Sequence, residues 1–282
     1  MRIEIEPGVR LYFDVESPQF AADGPVLREK PTLLLLHGGP GFDHSAFRPF
    51  FPRVADIAQV VYYDHRGHGR SDKRPPAEWT LDHWADDVVR LCDALGIVRP
   101  IVLGQSFGGT VAQRYLARHP RHPGRVILSS TSPHLGLQRK LAVFERLGGA
   151  HAREVAEAYW SDPSAGAFDE YLRVCLPLYN PTPAPAERME RTLLDLDILN
   201  SWSGAPLRDL DLLPGLAGVR CPVLVIGGEE DPVTPIDDQR DIVAALPAGL
   251  VEFHAFPGAG HGVWRDRPAE ALALLRRFIL EA

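Results

Sequence analysis

One short stretch of the chain holds a residue that could act as an exposed nucleophile. Ser106 is the central residue of the pentapeptide GQSFG at 104–108, which directly follows the apolar run at 101–103. A serine hydroxyl attacks a carbonyl carbon efficiently only when it is exposed, aimed and activated. A sharp turn from a buried strand into a helix provides the aim, and flanking glycines permit that turn because they have no Cβ. The pattern predicts that Ser106 is a catalytic nucleophile.

Two later loops contain candidates for the base and for the acid that orients it. Asp231 lies in the loop after the apolar run at 223–226, and His261 stands between glycines in the loop that precedes the last helical pattern. The chain order serine, aspartate, histidine is typical of hydrolases built on a parallel sheet. Glu229 and Glu230 remain alternatives to Asp231 as the orienting acid.

Backbone amides are the expected donors to the oxyanion of a tetrahedral intermediate. The sharp turn from strand to helix at Ser106 itself provides one donor, the N–H of Phe107. The second donor should come from the loop HGGPG at 37–41, where we predict the N–H of Gly39. Pro40 cannot serve because it has no N–H.

Short continuous apolar runs are typical of strands that are buried on both faces of a parallel sheet. Such runs lie at 33–36, 60–63, 101–103, 126–128 and 223–226. Helical patterns stand between them, at 81–95 after the capping residue Thr80, at 107–118 and at 268–280. Alternating strands and helices predict an α/β fold. The segments 2–6 and 9–15 predict an antiparallel hairpin, and 251–256 predicts a strand near the sheet edge.

The alternation of strands and helices is interrupted between residues 133 and 214. This stretch shows helical patterns at 138–147, 150–160, 167–176 and 186–196, without a convincing strand. We predict a helical cap over 133–214, inserted between a first core part at 1–132 and a second core part at 215–282 that carries the aspartate and the histidine.

Three motifs give the chain a specific resemblance. HGGPG at 37–41, DHRGHGRS at 64–71 and GQSFGG at 104–109 resemble the proline iminopeptidase family within the α/β-hydrolase superfamily. The resemblance implies an α/β-hydrolase fold, a mostly parallel sheet flanked by helices, with a helical cap that roofs the active site. It also implies that Asp64 and Arg66 of the second motif have structural roles.

The sequence departs from that family where the family binds the free amino group of its substrate. In the family one carboxylate directly follows the aspartate of the triad, but here Pro232 does. The position of a second carboxylate of that family corresponds to the neighbourhood of Asn200 in this sequence. Asp195, Asp197 or Glu190 could substitute for them. An ammonium ion in a dry pocket needs an anionic partner, so an ester, lactone or neutral amide is the expected substrate.

Several functional readings remain open besides a serine esterase or lactonase. They are a proline iminopeptidase, a triad enzyme such as a perhydrolase or lyase, and a non-catalytic binding protein on a hydrolase fold. Trp160, Trp202 and His134 are predicted to contact the substrate.

Composition limits the other possibilities. The 282 residues carry 30 Lys and Arg against 37 Asp and Glu, a net charge of −7, and no basic run that would favour nucleic-acid binding. The longest purely aliphatic run, at 33–36, is far shorter than the ~20 residues of a membrane span, and the first residues lack the apolar stretch of a signal peptide. The odd count of 3 cysteines favours reduced thiols in the cytoplasm.

We expect a small-molecule substrate, no cofactor and no metal; the oligomeric state is open.

Overall fold

A computed structural model describes residues 1–162, 167–185, 190–203 and 205–281. Its strands in chain order are β1 (Arg2–Glu6), β2 (Val9–Glu16), β3 (Phe20–Asp23), β4 (Val26–Glu29), β5 (Thr32–Leu36), β6 (Gln59–Tyr63), β7 (Ile101–Gln105), β8 (Arg125–Ser129), β9 (Val223–Gly228) and β10 (Val251–Phe256).

The main sheet has the strand order β1-β2-β6-β5-β7-β8-β9-β10 in the described part of the chain. The strands from β6 to β10 in this order pair in parallel, whereas β1 pairs antiparallel with β2, and β2 with β6. The predicted α/β sheet, the first hairpin and the edge position of 251–256 are therefore confirmed. The hairpin of β3 and β4 was not predicted.

The helices in chain order are α1 (Leu81–Leu95), α2 (Phe107–Arg118), α3 (Leu137–Ser161), α4 (Phe168–Val174), α5 (Leu196–Ser203), α6 (Ala205–Arg208), α7 (Leu213–Leu216), α8 (Ile236–Ala245), α9 (Val263–Asp266) and α10 (Pro268–Leu280). Short 3₁₀ turns lie at His44–Phe47, Phe51–Val54, Pro76–Glu78 and Leu176–Tyr179.

Two apolar clusters cover the two faces of the sheet. Every residue of β5, β7 and β9 is buried, which explains their continuous apolar runs. Side chains of α1, α2 and α8 pack in one cluster, and side chains of α10 and of two 3₁₀ turns pack in the other. The helix α1 begins where the Thr80 hydroxyl accepts a hydrogen bond from His83 N–H at 3.2 Å, and it ends at Gly96 with φ 68°.

The described residues between β8 and β9 form helices and no strand, and their division into a separate cap stays a prediction. The helix α3 contains a break at Gly149, with φ 74° and ψ −174°, as the two patterns at 138–147 and 150–160 indicate. The pattern at 167–176 is helical over Phe168–Val174 and continues as a 3₁₀ turn.

The prediction of one helix over 186–196 is wrong in its second half. Residues 186–189 lie outside the described residues, and 192–195 are not helical. Leu193 N–H donates to the Asp43 carboxylate at 3.2 Å, and Asp195 N–H donates to Gly41 C=O at 2.8 Å. These amides are bound by a loop distant in sequence, so they cannot continue a helix.

Among the described residues, no helix combines the length and the apolar character needed to cross a lipid bilayer.

Candidate active site

The backbone holds Ser106 in an unusual conformation between β7 and α2. Its φ of 54° and ψ of −120° lie outside the regions that non-glycine residues normally adopt. Ser106 N–H donates to Ser129 C=O at 3.0 Å, and the Thr131 hydroxyl donates to Ser106 C=O at 2.8 Å. Such a conformation costs on the order of 1–3 kcal/mol and persists only where the surroundings impose it. Here hydrogen bonds from the neighbouring strand and its following loop impose it.

Glycines at two positions make this turn possible. A Cβ at Gly104 would lie 2.4 Å from Gly108 C=O oxygen, and a Cβ at Gly108 would lie 2.0 Å from Leu36 C=O oxygen. Both distances are far below van der Waals contact. The glycines thus allow the start of α2 to approach β5 and β7 closely.

The imidazole of His261 and the carboxylate of Asp231 are hydrogen-bonded to each other. The distance from His261 Nδ1 to Asp231 Oδ2 is 2.9 Å, and the Asp231 side chain is fully buried. An ionised carboxylate can only accept a hydrogen bond, so His261 Nδ1 carries the proton of the neutral ring and donates to Asp231. Nε2 of that ring is then free of hydrogen and can accept a proton.

Further donors surround the Asp231 carboxylate. Val233 N–H and Thr234 N–H donate to Oδ1 at 2.8 and 2.9 Å, and the Thr234 hydroxyl donates to Oδ2 at 2.6 Å. Burial alone would raise the pKa of Asp231, but the charge and hydrogen bond of His261 and the bonds from Thr234 lower that pKa below its ordinary value. Asp231 is therefore ionised at neutral pH.

Neither alternative acid has this position. The Glu230 carboxylate forms an ion pair with Arg146, whose side chain is half exposed, and it is Asp231, rather than Glu229 or Glu230, that contacts His261.

The loop after β5 places Gly39 beside the nucleophile turn. Gly39 has φ 55°, and a Cβ there would lie 2.4 Å from the Phe42 ring. Gly39, Ser106 and Phe107 line one cavity, and the N–H groups of Gly39 and Phe107 donate to no other described residue. Both amides therefore remain the candidate donors of an oxyanion hole.

This cavity has a volume of about 520 Å³, and both Ser106 and His261 line it. Its wall is rich in aromatic side chains from the segment between β8 and β9: Tyr159, Trp160, Phe168, Tyr171, Tyr179 and Trp202. A largely apolar cavity with a few polar groups is typical of a small-molecule site.

The three predicted substrate contacts all line the cavity. The Trp202 ring packs on Phe107, with ring centroids 5.3 Å apart. Trp160 Nε1 donates to the Tyr171 hydroxyl at 3.2 Å. His134 is partly exposed, and its Nε2 lies 3.2 Å from an Asp241 carboxylate oxygen.

Asp43 is the one acidic residue among the described residues that line the cavity. Its Oδ1 accepts from Ser45 N–H at 3.0 Å and from the Ser45 hydroxyl at 2.6 Å. Its Oδ2 accepts from Arg70 at 2.7 Å and from Leu193 N–H at 3.2 Å. The carboxylate therefore already has partners for both oxygens within the protein.

The other carboxylates considered for amine binding lie elsewhere. Asp195 pairs with Lys73 at 2.7 Å and accepts from Ile198 N–H at 3.3 Å. Asp195, Asp197 and Glu190 are not among the residues that line the cavity, and neither is Asn200.

The second motif has the structural position that the resemblance implies. Arg66 is 1% exposed and forms ion pairs with Asp87, Glu78 and Glu6, each at 2.7 Å. Asp64 is fully buried and accepts from His44 and from Arg70 N–H. Neither residue lines the cavity.

One group of side chains has the donor set of a metal site. Ligand atoms of His134, Asp238 and Asp241 lie within 4.8 Å of one another. The Arg139 guanidinium, however, donates to both carboxylates. A cation would have to displace Arg139, so we assign no metal to this group.

Thr234 and Lys140 are among the residues of the site that the sequence analysis missed. Thr234 binds the Asp231 carboxylate, and Lys140 of α3 lines the cavity while being only 4% exposed. Thr234 could have been suspected from its position three residues after Asp231, whereas Lys140 has no distinguishing signal in the sequence.

Residues 31–267 match the family of proteins with the alpha/beta hydrolase fold, and the chain belongs to that family and is a hydrolase. It is similar to a proline iminopeptidase of Levilactobacillus brevis, with 30% identity over 265 residues that cover 88% of this chain and 87% of that one. A bifunctional esterase/perhydrolase of Acinetobacter calcoaceticus is 28% identical over 267 residues, which cover 84% and 87%.

A solved structure gives the same picture of the fold. The proline iminopeptidase of Mycobacterium smegmatis superposes with a TM-score of 0.74 at 23% identity, covering 100% of this chain and 97% of that one. The predicted resemblance is therefore confirmed.

Proposed function

We propose that this hydrolase cleaves a carboxylic ester, lactone or neutral amide through an acyl-enzyme on Ser106. The observation that carries the proposal is the 2.9 Å hydrogen bond from His261 to the buried Asp231, in a cavity that Ser106 also lines. Acyl transfer uses a base that is held by a carboxylate and acts on an aimed serine, and the shared cavity supports this pairing of His261 with Ser106.

The reaction proceeds in two half-reactions. Ser106 Oγ attacks the scissile carbonyl carbon while His261 Nε2 takes the hydroxyl proton, and the N–H groups of Gly39 and Phe107 stabilise the oxyanion. His261 then gives this proton to the leaving group. Water attacks the acyl-enzyme with His261 again as base, which releases the carboxylic acid and restores Ser106.

The lining of the cavity supports a substrate without a free amino group. The carboxylate of Asp43 has its partners within the protein, while Lys140 also lines the wall. An ammonium group there would meet the Lys140 cation and no uncommitted carboxylate among the described residues, at a cost of several kcal/mol.

A proline iminopeptidase is the second candidate. The similarity to the Levilactobacillus brevis protein, named a proline iminopeptidase, favours it. Pro232 after Asp231 and the absence of an uncommitted acid among the described lining residues oppose it.

The cysteines bear on the proposed compartment. Cys92, Cys175 and Cys221 are free and buried, which supports the prediction of a reducing, cytoplasmic location.

A substrate panel on the purified chain separates the candidates. It contains p-nitrophenyl acetate and butyrate, a lactone, and the matched pair prolyl and N-acetylprolyl p-nitroanilide. We expect turnover of an ester or lactone, no preference for the free amine over the blocked compound, and a loss of at least about 10⁴-fold in Ser106→Ala.

A preference for the free amine would support the iminopeptidase instead. Equal activity in Ser106→Ala would contradict both.

A further inference from the structure

One charged side chain in the cavity wall has no part in the proposed hydrolytic steps. Lys140 lies near the start of α3, is 4% exposed and lines the same cavity as Ser106 and His261. Its ammonium donates a hydrogen bond to Val233 C=O and lies 5.0 Å from the centroid of the Trp160 ring.

These contacts leave the ammonium incompletely paired. Of its three N–H groups, one donates to Val233, and the cation faces the Trp160 ring. Among the described residues, no carboxylate lies within 4.0 Å of Lys140 Nζ. A buried cation with only a carbonyl and a ring as partners is costly. Burial accordingly lowers the pKa of Lys140, although Asp238 and Asp231 act in the opposite direction.

The position of Lys140 is fixed relative to the catalytic residues. Val233 N–H donates to the Asp231 carboxylate at 2.8 Å, while Val233 C=O accepts from Lys140. One residue therefore connects the ammonium to the acid of the proposed triad. Lys140 itself lines the cavity that Ser106 and His261 also line.

We propose that Lys140 binds a carboxylate of the substrate, so that the enzyme prefers esters that carry a second, anionic carboxyl group away from the scissile bond. This inference rests on the proposed function. An incoming carboxylate provides the anionic partner that the described residues leave out, and it forms a charge-assisted hydrogen bond in a largely apolar cavity. The lack of an uncommitted acid in the described lining fits the same substrate class.

The test uses pairs of substrates that differ only in charge. Monoethyl esters of the diacids from succinate to pimelate are compared with the corresponding ethyl ester primary amides, and the acetyl ester of 5-hydroxypentanoate with its amide. The first series places the carboxylate on the acyl side and the last pair on the alcohol side. For the best chain length, we expect the wild-type kcat/KM to favour the carboxylate by at least about tenfold.

Two variants separate the charge of Lys140 from its hydrogen bond to Val233 C=O. Lys140→Met removes the charge and the hydrogen bond, whereas Lys140→Gln removes the charge and keeps an N–H donor for Val233. The carboxylate-to-amide ratio of kcat/KM should fall about 10- to 100-fold in each, mainly through KM. Using this ratio cancels any general loss of folded enzyme. Arg146→Met is the matched control because Arg146 lies on the same helix, half exposed and outside the cavity lining; its ratio should stay that of the wild type.

The outcomes distinguish this inference from the function on which it rests. If the wild type hydrolyses neutral esters through Ser106 but shows no preference for carboxylates, or if Lys140→Gln keeps the wild-type ratio, Lys140 is only a tether and the inference is wrong. If no ester of either kind is hydrolysed, the proposed function fails, and the inference fails with it.

Discussion

At the scale of single residues, the charge of Asp231 depends on its hydrogen bonds. The carboxylate is fully buried, yet four contacts with His261, Val233 and Thr234 stabilise its ionised form. The ion in turn keeps the His261 proton on Nδ1, which leaves Nε2 to accept from a nucleophile. The proposed function and local stability therefore rest on the same bonds.

The first prediction concerns Asp231→Asn. The pKa of Asp231 is lowered in the folded protein from an ordinary value of 3.8, so its ionised form adds stability that is fully present above about pH 4 and lost as pH falls through the lowered pKa. We expect the variant to lose roughly 1.5–3 kcal/mol of unfolding free energy at pH 7. This difference should shrink as the pH falls below 3.8.

Urea unfolding of wild type and variant between pH 7 and pH 3 measures this difference, with exposed Asp237→Asn as the control. A stability gap that is constant over this pH range would show that the Asp231 carboxylate is not stabilised as described.

The candidate site was only partly predictable from sequence. Ser106, Asp231 and His261 stand in loops that follow predicted strands, and the carboxyl ends of parallel strands meet at one edge of a sheet. Lys140, by contrast, is one lysine in an amphipathic helix. Its burial results from how α3 packs on the loop at Val233, and no local pattern encodes that packing.

At the scale of elements, the approach of α2 to β5 determines the geometry of the nucleophile turn. The second prediction here is that Gly108→Ala disrupts folding, because a Cβ at Gly108 would lie 2.0 Å from Leu36 C=O oxygen. Backbone cannot move aside as a flexible side chain can, so we expect a loss of more than about 3 kcal/mol or no soluble protein.

Gly249→Ala is the matched control, because nothing lies within 4 Å of a Cβ there. Thermal unfolding followed by circular dichroism compares the two. A Gly108→Ala protein that melts as high as Gly249→Ala would contradict the tight packing of this turn.

Sequence patterns predicted the strands of the main sheet and missed the exposed hairpin of β3 and β4. β5, β7 and β9 are buried throughout, so their composition reflects the sheet directly. β3 and β4 are largely exposed and lack the apolar alternation that identifies a strand. The helix predicted over 192–195 does not form for another reason, because amides of this segment donate to Asp43 and Gly41.

At the scale of the whole molecule, the segment between β8 and β9 contacts the loops that carry the proposed catalytic groups. His261 N–H donates to Tyr179 C=O at 2.6 Å, and Lys140 donates to Val233 C=O. Gly260 lies so close to this segment that a Cβ there would be 2.0 Å from Tyr179 C=O oxygen. The shape of the cavity and the orientation of the proposed base therefore depend on the same packing.

The central claim is that Ser106 is a nucleophile activated by His261. Incubation of the purified chain with a fluorophosphonate probe, followed by intact mass measurement and peptide mapping, tests it most directly. We predict one adduct, located on Ser106, absent in Ser106→Ala and formed far more slowly in His261→Ala. An adduct on another residue, or equal labelling of Ser106→Ala, would contradict the claim.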